Sequence, residues 1–108
     1  MFLMCGNSII KLDECNSFRK RLIGFMFYKK KITIGKRFIK CNSIHTFFMM
    51  QKIDVIMTDK NNKILKIYGG LKPNRIILPK RKVYYTYELP LNTSKNYKIG
   101  NILNIKKA

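Results

Sequence analysis

The fold is decided by the stretch Ile53-Asp54-Val55-Ile56-Met57-Thr58-Asp59-Lys60-Asn61-Asn62-Lys63-Ile64-Leu65-Lys66-Ile67-Tyr68. Residues 53–58 and 63–68 are rich in β-branched and apolar side chains in an alternating pattern, which is typical of strands. Three of the four residues between them, Asp59, Asn61 and Asn62, have side chains that favour tight turns. The stretch therefore predicts a β-hairpin.

Shorter stretches on both sides of the hairpin also have the composition of strands. Pro90 should end one of them, and Gly100-Asn101 should form a turn before another. The segments on either side of Gly35 can be strand or loop. The predicted strands are residues 8–12, 82–89 and 102–105, and the segments around Gly35 are 32–34 and 38–39.

One short helix is predicted over residues 17–23. Asn16 or Ser17 can cap its first turn, and Gly24 stands where a left-handed residue would end it. Its apolar face would consist of Phe18, Leu22 and Ile23. We therefore expect an α+β, mostly β fold: a small antiparallel sheet curled toward a barrel, with one short helix, in a single domain over residues 1–108.

The composition excludes some broad classes of protein. A hydrophobic content of 46% in 108 residues excludes a disordered chain, and no apolar run approaches the length of a membrane-spanning helix, about 18 residues. Three cysteines are too few and too irregularly spaced for a disulfide framework. We therefore expect a cytoplasmic protein with no transmembrane segment.

The net charge of +18 results from 23 Lys and Arg residues against 5 Asp and Glu. Such a charge attracts polyanions, so non-specific binding to nucleic acid or to an anionic membrane surface is one functional hypothesis. The chain is also rich in Ile and Asn, as an AT-rich genome would dictate, so part of the lysine excess can reflect genome composition.

The candidate functional residues cluster around the single histidine, His45. A strand through residues 44–50 would place His45, Phe47 and Met49 on one face and Thr46 on the other. Buried polar side chains need partners, and Asp54 and Glu88 are the natural ones. Two interpretations remain open: His45, Asp54 and Glu88 converge on a catalytic or ligand-binding pocket, or they form a buried network that fixes the strands in register.

Other chemistries are less well supported. Cys41 and His45 supply two zinc ligands where a structural site needs four, so no metal is expected. Ser43 or Cys41 could be a nucleophile activated by His45, but no oxyanion-hole motif accompanies them. Several further side chains are assigned to the core, namely Tyr85, Tyr87, Met26, Met49, Met50 and Met57.

Four blocks of sequence, in order, resemble the bacterial and archaeal family called domain of unknown function 192. They are Arg19 or Arg21 with Leu22-Ile23-Gly24-Phe25-Met26-Phe27; Ile44-His45-Thr46-Phe47-Phe48-Met49 with Ile53-Asp54-Val55; Leu71-Lys72-Pro73-Asn74-Arg75; and Tyr87-Glu88-Leu89-Pro90. Phe25, Asn92 and Asn101 depart from the family pattern, which usually has Leu, Gly and Asp there. The resemblance covers roughly residues 8–105 and implies a small barrel-like β fold without an assigned activity.

The leading functional hypothesis is a small ligand-binding or accessory protein, bacterial and cytoplasmic, whose partner is a small molecule or a protein and which needs no cofactor. The alternative is a minor hydrolase or transferase with His45, Asp54 and Glu88 as catalytic residues. The residues expected to bind the ligand are His45, Thr46, Met49, Asp54, Arg75 and Glu88.

Overall fold

Nine β-strands account for most of the regular structure in the computed structural model, which describes residues 1–17, 20 and 23–107. A single 3₁₀ helix over Thr93–Asn96 accompanies them in this part of the chain. The strands are β1 (Phe2–Cys5), β2 (Ser8–Cys15), β3 (Gly35–Ile39), β4 (Ile44–His45), β5 (Ile53–Thr58), β6 (Ile64–Leu71), β7 (Ile76–Ile77), β8 (Tyr85–Leu89) and β9 (Asn104–Lys106).

The hairpin predicted from residues 53–68 is confirmed as the antiparallel pair β5–β6. Its turn is held by Asp59, whose Oδ1 accepts hydrogen bonds from the backbone N–H groups of Asn61 (2.8 Å) and Lys63 (3.0 Å). Asn62 adopts a left-handed conformation with φ of 62°, which asparagine tolerates better than most residues. The aspartate and asparagine side chains therefore shape this turn as the sequence indicates.

Seven strands form one curled sheet in the order β6-β5-β8-β3-β2-β1-β9. All neighbours are antiparallel except β2 and β3, which are parallel. The two edges of the sheet meet where Lys63 bridges Ile102, and Ile64 N–H donates to Asn101 O at 2.8 Å. The mostly β, barrel-like fold expected from the sequence is thus confirmed.

The core has two parts because β5 is buried on both faces. Ile56 packs in one cluster with side chains from β1, β2, β6 and β8. This first cluster fills the barrel interior. Val55 and its neighbours at alternate positions face outward into a second cluster. The interior cluster is Leu3, Cys5, Leu12, Ile56, Ile64, Tyr87, Leu89 and Leu103, and the outer one is Phe25, Ile32, Met49, Ile53, Val55, Met57 and Ile77.

The outer cluster is covered by a separate two-stranded ribbon, β4–β7, and by the loops next to it. The sequence suggested a longer strand through residues 44–50, and this prediction is wrong. Pairing ends at His45, and the backbone turns at Phe47-Phe48, where Phe48 has φ of 63°. The apolar residues of this segment therefore do not alternate between two faces of a sheet.

The remaining element predictions have mixed outcomes. Strands over residues 8–12 and 102–105 correspond to β2 and β9, whereas the strand predicted from residue 82 begins only at Tyr85, because Lys82 lies in a turn with φ of 69°. The helix predicted over residues 17–23 lies largely outside the described residues, which omit 18, 19, 21 and 22. Gly24 has φ of +48°, as expected of a residue that ends a helix.

Within the part of the chain that the structure covers, no helix is both long enough and apolar enough to span a membrane.

Candidate functional site

Glu88 lies near the end of β8 and points away from the barrel interior. Its neighbours Tyr87 and Leu89 are completely buried in the interior cluster, so strand alternation directs Glu88 to the outer face. In the sheet, Glu88 is opposite Val55 of β5 and Lys36 of β3. A carboxyl group is thus held on rigid strands beneath the loops that cover the outer cluster.

The Glu88 carboxyl group is buried without full hydrogen bonding. Its Oε1 has no hydrogen-bond partner among the described residues, although the side chain is only 4% exposed. Lys36 Nζ lies in the same region, but it donates to the Gly24 carbonyl oxygen at 2.8 Å. A buried acceptor without a donor is costly, so such a group calls for an explanation.

Burial raises the pKa of Glu88 to about 7. Transfer out of water disfavours the charged form, and this effect outweighs the positive charge of Lys36 and the hydrogen bond from the Phe25 backbone, which both favour ionisation. Near neutral pH the group is therefore divided between its protonated and ionised forms. It can either donate or accept a proton in that range.

A cavity of about 350 Å³ opens over Glu88. Its walls come from the segment that precedes β3 and from the segment that joins β3 to β4. The lining includes Ile23, Gly24, Phe25, Met26, Lys40, Cys41, Asn42, Ser43, Ile44, His45, Met49 and Glu88. The cavity therefore combines apolar walls with a few polar groups, as small-molecule sites commonly do.

His45 lines the same cavity as Glu88. Its Nδ1 accepts a hydrogen bond from the Phe47 backbone N–H at 3.2 Å, and its ring stacks on that of Phe47 with centroids 5.1 Å apart. Because Nδ1 accepts, the neutral ring carries its proton on Nε2, which can act as a donor. His45 is oriented by its own turn, and neither Asp54 nor Glu88 is the hydrogen-bond partner that the sequence suggested.

Asp54 lies elsewhere. It belongs to the opposite face of β5 from Val55, and its two carboxylate oxygens accept hydrogen bonds from the backbone N–H groups of Gly70 (2.9 Å) and Ser94 (2.8 Å). These bonds tie β5 to a bulge in β6 and to the 3₁₀ helix. The structure thus brings His45 and Glu88 to one cavity and leaves Asp54 out of it.

Thr46 and Arg75 meet through hydrogen bonds that hold a loop. The Thr46 hydroxyl donates to Lys72 O at 2.7 Å and accepts from the Arg75 backbone N–H at 2.8 Å, while Thr46 N–H donates to Arg75 O at 2.8 Å. The Arg75 side chain is exposed, with Nη1 3.4 Å from Pro73 O. Of the residues expected to bind a ligand, His45, Met49 and Glu88 line the cavity, whereas Thr46 and Arg75 join β4 to the loop before β7.

The cavity also has walls that the sequence did not single out. Gly24 lies directly against Glu88, and Lys36 reaches across to the Gly24 carbonyl. The sequence did indicate a left-handed glycine at position 24, which could have pointed to this wall. The position of Lys36 opposite Glu88 could not be predicted, because it depends on the register of strands that are distant in sequence. Cys41 and Ser43 line the cavity too, and Cys41 Sγ lies 3.1 Å from Ser43 O as a hydrogen-bond donor. No group of three His, Cys, Asp or Glu side chains suited to a metal ion occurs among the described residues.

Comparison with other proteins identifies relatives in archaea. A UPF0127 protein of Pyrococcus horikoshii is 38% identical over 87 residues, which cover 77% of this chain and 75% of that protein. A UPF0127 protein of Pyrococcus abyssi is 32% identical over 95 residues, covering 82% of this chain and 79% of that protein. No family model matches the chain.

Two solved structures share the fold. A protein of unknown function from Novosphingobium aromaticivorans superposes with a TM-score of 0.81 at 10% identity, over 96% of this chain and 82% of that one. A putative transcription regulator from Sinorhizobium meliloti superposes with a TM-score of 0.79 at 18% identity, over 95% and 89% of the two chains. At these identities the likeness establishes the fold alone. The archaeal relatives, which are more than 30% identical over most of their length, show that the chain belongs to the UPF0127 family.

Proposed function

We propose that the chain is a small-molecule-binding or accessory domain whose ligand occupies the cavity beside Glu88. The observation that carries this proposal is the buried Glu88 Oε1, which has no hydrogen-bond donor among the described residues. A ligand that supplied the donor would remove the cost of this unpaired acceptor. The energy released would add to the affinity of the complex.

The cavity lining defines the chemistry of the ligand. Glu88 calls for a hydroxyl, amine or amide N–H, and His45 Nε2 offers a donor for an acceptor on the same ligand. Phe25, Ile44 and Met49 supply apolar surface for a hydrocarbon or aromatic body. The ligand class is therefore a compact molecule with an apolar part and a polar head that both donates and accepts hydrogen bonds, such as a primary amide or an amino alcohol.

Binding is tested by a thermal-shift screen of amides, amines and alcohols, followed by calorimetry on each compound that stabilises the protein. Glu88→Met keeps the side-chain volume and removes both oxygens. It should weaken binding by about tenfold or more, because a hydrogen bond to an ionisable group is lost. It should change the unfolding free energy little, because the removal of the unpaired Oε1 is offset by the loss of the hydrogen bond from the Phe25 backbone.

The matched control is Asp13→Asn, which alters an exposed carboxylate on β2 outside the cavity. This variant should bind with the affinity of the natural chain. If every stabilising compound binds Glu88→Met as tightly as the natural protein, Glu88 is not the ligand's anchor and the proposal fails.

An enzymatic role is the second candidate, and one specific observation favours it. His45 lines the same cavity as a carboxyl group whose pKa is near 7, so the pair has the side chains that a hydrolase or transferase uses for proton transfer. Asp54 is not part of this version of the site. Turnover of a screened compound that is lost in both His45→Ala and Glu88→Gln would establish it, and binding without turnover would reject it.

The finer identification with domain of unknown function 192 is also a proposal. It is supported by the packing of residues from three of the family blocks, since Ile44, Met49, Ile53, Val55 and Leu71 all belong to the outer cluster. An alignment of UPF0127 sequences that keeps all four blocks in register would test it. A bacterial origin, a cytoplasmic location and a single domain are proposals of the same kind, and one cooperative unfolding transition is the expected sign of a single domain.

A further inference from the structure

A second surface, separate from the cavity, exposes large apolar side chains beside a run of lysines. We propose that this surface docks on an anionic phospholipid bilayer, with Phe27, Phe48 and Met50 entering the headgroup region and Lys29–Lys31 contacting the lipid phosphates. Phe27, Phe48 and Met50 are 63%, 59% and 54% exposed. The sequence assigned Met50 to the core, and that prediction is wrong.

Two neighbouring segments hold these side chains in a fixed arrangement. Phe27 N–H donates to Phe48 O at 2.9 Å, and the two rings stack with centroids 5.5 Å apart. Gln51 Nε2 donates to the backbone carbonyls of Tyr28 (3.0 Å) and Lys30 (2.8 Å). Residues 27–30 and 48–51 therefore run side by side and present the apolar residues and the lysines together.

Each of the two phenylalanines occupies the third position of a hydrogen-bonded turn: Tyr28 N–H donates to Phe25 O at 3.1 Å, and Met49 N–H donates to Thr46 O at 3.2 Å. Phe27 has φ of 60° and Phe48 has φ of 63°, a region that favours Gly or Asn over a bulky side chain. Each ring is mostly exposed, so the free energy gained by burying it offsets little of the cost of the positive φ. Gly or Asn would satisfy these turns at less cost, so the presence of Phe at both positions points to a role for the exposed rings.

The two segments that form the patch carry only positive charge. Lys29, Lys30, Lys31 and Lys52 are all exposed, and the sequence from Cys15 to Ile53 contains no Asp or Glu. A patch of apolar side chains with lysines on the same two segments is complementary to the interface of an anionic bilayer, where hydrocarbon and phosphate lie within a few ångströms of each other.

A bilayer fits this patch better than a nucleic acid does. Single-stranded nucleic acid binds by stacking its bases on aromatic rings, but Phe27 and Phe48 already stack on each other. Met50 has no ring for a base to stack on. A lipid interface accepts the flexible Met50 side chain and the exposed ring edges alike.

The test is flotation of the full chain with vesicles. Vesicles made of equal parts phosphatidylcholine and phosphatidylglycerol should bind the protein in a salt-sensitive manner, and vesicles of phosphatidylcholine alone should not.

The double variant Phe27→Asn/Phe48→Asn, which uses a residue that tolerates positive φ, should weaken binding at least tenfold. The single variant Met50→Gln, at a position without positive φ, should weaken binding to a smaller extent. The control Ile99→Asn changes an equally exposed apolar residue elsewhere and should have no effect.

A second set of variants tests the charge. Replacing Lys29, Lys30 and Lys31 by Gln should weaken vesicle binding by about 100-fold, because each lysine near an anionic surface contributes about fivefold. The matched control replaces Lys95, Lys98 and Lys106, three exposed lysines outside the patch, and should reduce binding much less.

Three results would overturn the proposal. The first is equal vesicle binding by the natural chain and the Phe27→Asn/Phe48→Asn variant. The second is an equal loss from the two triple-lysine variants, which would indicate a general charge effect. The third is tight binding to a single-stranded oligonucleotide that depends on the two phenylalanines while vesicle binding is absent, which would assign the patch to nucleic acid.

Discussion

A β-carbon at position 24, in place of the Gly24 hydrogen, would lie 2.9 Å from Oε1 of Glu88, which is closer than van der Waals contact. The glycine both adopts a left-handed conformation and leaves room for the buried carboxyl group. The loop around Gly24 and strand β8, which carries Glu88, are therefore in close contact at this point and leave no room for a larger side chain.

Replacing Gly24 by Ala should destabilise the fold more than replacing Gly6 by Ala. Both glycines have positive φ, at +48° and +58°, so both substitutions carry a backbone cost of about 1 kcal/mol. Only Gly24→Ala adds a clash with a buried side chain, which costs about 1–3 kcal/mol more. Urea unfolding measures the difference, and equal losses would show that Glu88 moves aside freely.

The stability of the natural chain should fall as the pH rises from about 4.5 to 7, relative to the Glu88→Gln variant. The pKa of Glu88 is about 7 in the folded protein and 4.5 as the model value, so the folded state binds more protons in this interval. The stabilisation is fully present below pH 4.5 and is lost as the pH rises through 7, with a total of about 3 kcal/mol.

Denaturant unfolding at several pH values tests this linkage. The difference in unfolding free energy between Glu88→Gln and the natural chain should grow in favour of the variant up to pH 7 and then remain constant. Two parallel pH profiles would contradict a raised pKa at Glu88.

Replacing Thr46 by Val should cost about 1 kcal/mol of unfolding free energy, because the buried Thr46 side chain loses its hydrogen bonds to the Lys72 carbonyl and the Arg75 N–H. Thr33→Val makes the same chemical change at an exposed position and serves as the control. The loss should also appear as faster hydrogen exchange at the Arg75 amide. Equal stability of the two variants would mean that water replaces the Thr46 hydroxyl.

Asp54→Asn should destabilise the fold by about 1–3 kcal/mol. The Asp54 carboxylate accepts hydrogen bonds from two backbone N–H groups, and in the variant one of these donors would face an amide NH₂ instead of an oxygen. Faster exchange of the Gly70 and Ser94 amides should accompany the loss. Affinity for a ligand of the Glu88 cavity should not change, since Asp54 lies outside it. A parallel loss of affinity would place Asp54 in the binding site after all.

The sequence predicted those features that depend on neighbouring residues. The hairpin over residues 53–68 was evident because alternation and turn-forming side chains act locally. The two-residue strands β4 and β7 were not, because each is defined only by its pairing with the other, some 30 residues away. Hydrophobic pattern alone carries no signal of such pairing.

The candidate site was predicted in part for a related reason. His45 and Glu88 share a cavity, but the position of Asp54 depends on strand register, in which Val55 is opposite Glu88 and Asp54 is opposite Leu89. A shift of one residue would have placed Asp54 on the outer face with Glu88. That register is set by the packing of the whole barrel, which no local pattern reveals.

The parallel pairing of β2 with β3 has a consequence for how the site can vary. Two parallel strands cannot be joined by a tight turn, so residues 16–34 must carry the chain from the end of one strand back to the start of the next. This obligatory return path supplies Gly24 and Phe25 to the cavity. Shortening it to a hairpin would change the topology of the sheet, so new ligand specificities in this architecture should arise by substitution within the return path rather than by its removal.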